Sequence, residues 1–207
     1  MDVSTPQPNV TDNPPRLRFN VACYFEVGLL MVALFLGILF DYPLADHFAW
    51  NLNDLLLGAL AAIPPVAVIL GLTHSGWHGF RGLKRVVEIR IRPLFVGLSW
   101  WQLGVLSILA GIAEECFFRG LIQGGLVNAG GMLLGILAAS VLFGMAHLLN
   151  NAYGIMAALI GAYLGALLVW KGNLMIPITT HAVYDFVVLV WIMRNPEQNC
   201  RPDDAER

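Results

Sequence analysis

Residues 94–113 (LFVGLSWWQLGVLSILAGIA) and 120–146 (GLIQGGLVNAGGMLLGILAASVLFGMA) carry no charged side chain. Uncharged runs of this length settle which solvent the chain folds in. Lipid offers no hydrogen bonds to a backbone, so such runs satisfy their N–H and C=O groups internally, as helices. Composition agrees: 13% of the residues are charged, against about 25% in a typical soluble domain. The expectation is an all-α, polytopic transmembrane helical bundle whose first partner is the lipid bilayer. The net charge of −2 says nothing about partners, and without a basic field no nucleic acid is expected among them.

Hydropathy divides the chain into about six spans, near 21–40, 54–72, 94–122, 131–149, 153–170 and 173–193. Residues 1–20 read as a disordered polar N-tail. Residues 21–93 hold two spans and a basic loop, 94–193 a helical core, and 194–207 a polar C-tail. The first apolar run is long for a signal peptide and reads as a retained span. Pro64 and Pro65 should kink the second span, since each removes a backbone donor. Trp100 and Trp101 mark an interface, and the glycine-rich 124–131 reads as a turn. Cys23, Cys116 and Cys200 are widely spaced and form no metal or redox motif.

Lys and Arg collect in the N-tail (Arg16, Arg18), in the loop Arg81–Arg92, and at the end (Arg194, Arg201, Arg207). The loop between the first two spans has none. Both termini are therefore expected on the cytoplasmic side. The basic stretch 81–92 reads as an anchor on anionic headgroups. The short polar tail and compact length suggest a bacterial plasma membrane.

Ionisable groups inside spans cost about 2.5–3.5 kcal/mol each on insertion scales, and here they are few. They are Glu114, Glu115, Arg119, His147, His181 and Asp185, with Glu26 near one end of the first span and within reach of the interface. Glu115 and Arg119 are i,i+4, the spacing of a carboxylate–guanidinium pair. Glu114 points about 100° away and its i+4 neighbour is Phe118, so it is left unpartnered. Phe143 stands one turn before His147, and Asp185 one turn after His181, where it can hold the imidazole in one tautomer.

One carboxylate and two imidazoles support two related chemistries. Glu114, His147 and His181 can ligate a divalent metal such as Zn²⁺ that activates a water. Alternatively Glu114 is the general base on a water held by His147, while His181 steadies the oxyanion. Both hydrolyse an acyl bond. Two other readings stand beside them: a packed, non-catalytic set of charges, and an ion or proton path.

The ordered motifs EExxxR (Glu114, Glu115, Arg119), FxxxH (Phe143, His147) and HxxxN/D (His181, Asp185) resemble the CPBP family. This is the Abi group of CAAX prenyl endopeptidases and bacteriocin-processing or self-immunity membrane proteins. Phe118-Arg119-Gly120, Phe143-Gly144-Met145-Ala146-His147 and Pro177-Ile178 agree with it, and the likeness covers about 94–193. The resemblance implies an intramembrane endopeptidase acting on a peptide or protein substrate, lipid-modified in the prenylated case. It gives Glu114 the role of water-activating base, with His147 sharing the water or a metal. Glu115 and Arg119 would support the site and His181 the oxyanion; Zn²⁺ stays open as cofactor. Where prenyl-protease members carry Asn, this chain has Asp185, and an ionised carboxylate cannot donate to an oxyanion. The alternative from another class is a non-catalytic bacteriocin immunity or membrane scaffold protein.

One geometric requirement follows. Counted from Trp100, Glu114 lies about 20 Å deep at ~1.5 Å per residue. Counted from Gly131, His147 lies about 24 Å from the opposite face of a ~30 Å core. The two meet only through tilt, a later start to the fourth helix, or a break near Gly111.

Overall fold

A computed structural model describes residues 15–42, 44–74 and 81–195. The expected N-tail up to residue 14 and C-tail from residue 196 lie outside the described residues. Those described form helices joined by short turns, with no strand among them. The helices are α1 (Pro15–Leu39), α2 (Leu52–Ala61), α3 (Ile63–His74), α4 (Arg81–Val86), α5 (Arg92–Phe95), α6 (Trp100–Glu114), α7 (Gly124–Gly130), α8 (Met132–Ala146), α9 (Asn151–Lys171) and α10 (Met175–Arg194). A π-helical turn, Val87–Ile91, joins α4 to α5, and a longer one, Glu115–Gln123, joins α6 to α7.

The expected helical bundle is borne out, with fewer full crossings than six. Four helical stretches are long and apolar enough to cross a membrane: Arg18–Leu39, Leu52–Leu72, Asn151–Lys171 and Met175–Arg194. A fifth arises if Gly82–Phe95 and Trp100–Gly130, bent by 109° at their junction, count as one broken span. Helix α8 has 15 residues, about 22 Å at ~1.5 Å per residue, and falls short of a ~30 Å core. The outer surface is apolar: Phe25, Phe35, Leu133 and Leu159 are exposed, as lipid-facing residues should be.

Several boundaries differ from the sequence reading for physical reasons. Helix α1 begins at Pro15, where proline suits a first helical turn, and its apolar span starts at Arg18 rather than at residue 21. The kink in the second span falls at Ala62, between α2 and α3, just before Pro64 and Pro65. The run 124–131 is helical up to Gly130, and the turn is Gly131 alone, at φ +90°. Glycine reaches that conformation without a Cβ penalty.

The depth requirement is met without a break at Gly111. Trp100–Gly130 is continuous helix, about 45 Å at ~1.5 Å per residue, so Gly131 lies well beyond a ~30 Å core measured from Trp100. Returning from there by about 22 Å, α8 ends roughly 23 Å from Trp100, level with Glu114 at about 21 Å. The fourth helix therefore starts farther out and stops short. Gly111 has another use: a Cβ there would lie 2.9 Å from the Ile178 carbonyl and 3.1 Å from Ala182. Its absence lets α10 lie against α6.

Small residues bring α9 against α8 in the same way. A Cβ on Gly144 would meet the Gly154 carbonyl at 2.6 Å, and one on Gly161 would meet Arg119 Nη2 at 3.0 Å. The turn before α10 is tied down by Asn173. Its Oδ1 accepts from Ala49 N at 3.0 Å and Met175 N at 3.1 Å, and its Nδ2 donates to Asp54 Oδ2 at 2.8 Å. Thr180 Oγ1 adds a bond to the Gly58 carbonyl at 2.9 Å. Together these fix the register that carries His181.

At the Trp100 end, Arg194 lies 4.2 Å over the Trp100 ring and Arg18 bonds the Val96 carbonyl. The two ends of the described chain therefore lie at one end of the bundle. There α4 and its π turn bury Leu83, Val86, Val87 and Ile91, while Arg85 and Arg90 stay exposed. That amphipathic character fits a segment lying along an interface.

Candidate active site

Four helical segments converge near mid-depth: the α6–π junction, the C-terminal end of α8, the first half of α9 and the first half of α10. The two glutamates at the junction have different surroundings. Glu115 is fully buried and accepts from Arg119 Nη1 at 3.1 Å. Its Oε1 also meets His181 Nδ1 at 2.7 Å. Arg119, likewise fully buried, rests 4.3 Å over the Phe143 ring. One carboxylate thus ties the π-helical turn to α10 through His181, and Arg119 carries the link on to α8. The expected Glu115–Arg119 pair is present.

The tautomer anchor expected of Asp185 is corrected. His181 Nδ1 is taken by Glu115, and Asp185 has the Ser107 side chain on α6 as a near neighbour. One helical turn separates the two residues along α10, but Glu115 approaches from another helix directly in line with the ring. Tyr184 stacks on the opposite side, with centroids 4.9 Å apart and planes at 15°.

Glu114 is the open partner. Its Oε2 stands 3.6 Å from His147 Nε2, with side-chain exposures of 13% and 29%. Helix α8 ends at Ala146, and His147 Nδ1 lies 2.9 Å from the Phe143 carbonyl. A carbonyl only accepts, so Nδ1 must carry the proton and a neutral ring offers a lone pair at Nε2. Glu114 Oε2 is itself buried without a hydrogen-bond partner. Two acceptors thus face each other beyond direct hydrogen-bonding distance, and a water between them at about 2.8 Å from each would donate to both.

Phe143 is the hub. Its ring lies 4.4 Å from His147, 6.1 Å from His181 and 5.1 Å from Phe118. It separates the buried ion-pair side from the open pair while touching both. Cys116, beside Glu115, is a free thiol.

Metal ligation was a second expectation for Glu114, His147 and His181. Among the described residues, no three His, Cys, Asp or Glu side chains converge to hold an ion. His181 Nδ1 is committed to Glu115, which leaves Nε2 as its only possible ligand atom, and because no such trio forms as folded, no step below runs through a metal.

Sequence reasoning missed three groups. Tyr153 on α9 lies with its ring 6.5 Å from His147. Ser107 faces Asp185. Glu26 on α1, expected near the interface, has Glu114, His181 and Asp185 as electrostatic neighbours. Because the span starts at Arg18, Glu26 sits about 12 Å into it at ~1.5 Å per residue. A lone carboxylate in an apolar span was the available signal; the misplaced helix start hid it.

Fold and site together define a helical membrane protein with a carboxylate–imidazole centre inside the bundle. Residues 96–187 match the family of type II CAAX prenyl endopeptidases, Rce1-like, so over that segment the resemblance is borne out, and the family is one of CAAX-protease-like intramembrane endopeptidases. The match takes in Glu114, Glu115, Arg119, Phe143, His147, His181 and Asp185, and leaves out Glu26. The uncharacterized protein YpbD of Bacillus subtilis (strain 168) is 34% identical over 85 residues, 40% of this chain and 41% of its own length. The chain thus spans about two fifths of that relative. No solved structure matches significantly.

Proposed function

We propose that the chain hydrolyses peptide bonds within or beside the membrane, using a water held between Glu114 and His147. The observation that carries this is the pair of facing acceptors 3.6 Å apart, Glu114 Oε2 and His147 Nε2. Glu114 takes the water's proton as hydroxide attacks the carbonyl, and His147 fixes the water's direction. The tetrahedral oxyanion forms toward His181. To donate from Nε2 while Nδ1–H stays on Glu115, that ring must be an imidazolium, and Glu115 at 2.7 Å is its counter-ion. Glu114 then returns its proton to the leaving amine.

The substrate class we propose is a membrane-associated peptide, with a prenylated CAAX terminus as the first case, on the strength of the matched family. We read the Trp100 end as the cytoplasmic one, which the cluster of Lys84, Arg85, Arg90 and Arg92 there supports, and take the membrane to be a bacterial plasma membrane. The test is cleavage of an internally quenched peptide ending in S-farnesyl-Cys-Val-Ile-Met by the purified protein in proteoliposomes. Glu114→Gln and His147→Ala should each lower turnover by about 10²–10⁴-fold. Undiminished turnover in both variants would sink the assignment.

A further inference from the structure

Helix α1 lies outside the family-matched segment and packs on α5, α6 and the π-helical turn after α6. Its side chains are mostly apolar and exposed, with Tyr24, Phe25, Val27, Met31 and Phe35 facing outward. Glu26 is the exception, half-buried toward the bundle. Its Oε2 is buried with no hydrogen-bond partner, and its electrostatic neighbours are Glu114, His181 and Asp185. At about 12 Å into the span that starts at Arg18, a glutamate side chain is too short to reach the interface. An unsatisfied buried carboxylate oxygen is costly, and nothing in the fold uses this one.

A peptide at this site has the complementary problem. To be cleaved it must lie extended, and inside a bilayer its N–H groups find no water. Nearby acceptors are engaged or sealed. Glu115 Oε1 takes Arg119 and His181, and its other oxygen is sealed on a fully buried side chain; the Phe143 carbonyl takes His147 Nδ1, and Glu114 is needed for the water. Glu26 Oε2 is an unpartnered acceptor on a half-buried side chain with the reacting Glu114 as an electrostatic neighbour.

We propose that Glu26 is a substrate-positioning residue, whose free carboxyl oxygen accepts a backbone N–H of the peptide next to the scissile bond. The inference rests on the peptidase reading for its substrate. It requires an acceptor oxygen rather than a charge, so glutamine should replace Glu26 and alanine should not.

The test reads binding apart from turnover. Anisotropy of a dye-labelled version of the farnesylated peptide would be measured on proteoliposomes of Glu114→Gln protein, with Glu26 intact, Glu26→Gln or Glu26→Ala. Expected is a rise in Kd of about tenfold for Glu26→Ala, the scale of one hydrogen bond, and little change for Glu26→Gln. N-methylation of one N–H flanking the scissile bond should weaken binding by a similar factor when Glu26 is present. It should add nothing when Glu26 is alanine. In the otherwise native enzyme, Glu26→Ala should raise KM and leave kcat. Equal binding by the alanine variant, no binding by the Glu26-intact protein, or a fall in kcat shared by Ala and Gln overturns the proposal. Binding that follows the prediction without any cleavage by the native protein overturns the hydrolytic reading alone.

Discussion

Glu114 and Glu115 are neighbours in sequence and opposites in surroundings. Glu115 is sealed from solvent, with a guanidinium at 3.1 Å and an imidazole at 2.7 Å. Glu114 keeps some exposure and faces a ring nitrogen at 3.6 Å, with no hydrogen-bond partner of its own. Adjacent helical residues point about 100° apart, so one turn can present two carboxylates to two neighbourhoods. The difference teaches that charge in the middle of a membrane need not have one explanation. Here one carboxylate secures the helices and its neighbour is left for chemistry.

This comparison breaks first at Arg119. Truncation in Arg119→Ala leaves Glu115 buried and short of its cation, which should cost about 3–5 kcal/mol. Detergent-solubilised protein should show this as a clear fall in melting temperature, together with loss of activity. Should the melt stay unchanged, the buried network is not what holds this part of the fold.

A smaller effect is expected where α9 passes Arg119. Gly161→Leu places a side chain where even a Cβ stands 3.0 Å from Arg119 Nη2, and overpacking of this kind costs about 1–3 kcal/mol. Denaturant titration would read it, and a neutral result would mean that α9 does not pack so closely. The smallest effect is none: EDTA at millimolar concentration should leave turnover of the quenched peptide as it was. Loss of turnover restored by added Zn²⁺ would instead show that the donors rearrange around an ion.

Much of this was legible in the sequence because spacing on one helix is local. The i,i+4 step from Glu115 to Arg119 and the step from Phe143 to His147 both became contacts. The partner of His181 was not legible. Its own helix offered Asp185, yet Glu115 on another helix took the ring, and helix-to-helix distances are set by Gly111, Gly144 and Gly161 rather than by the motifs. Span lengths misled for a related reason. Hydropathy cannot see that Trp100–Gly130 is one helix longer than a bilayer is thick, and that length is what lets a short α8 deliver His147 to Glu114. Glu26 escaped because the span begins at Arg18 rather than at residue 21, which puts the carboxylate deeper than expected.

The central claim is that Glu114 serves chemistry and not the fold. It is tested most directly by turnover of the quenched farnesyl peptide by Glu114→Gln protein, normalised to the amount that still melts cooperatively at the native temperature. The account predicts turnover below about 1% of the native enzyme, with the melting temperature unchanged. Full turnover would contradict it, as would a melt that collapses along with the activity.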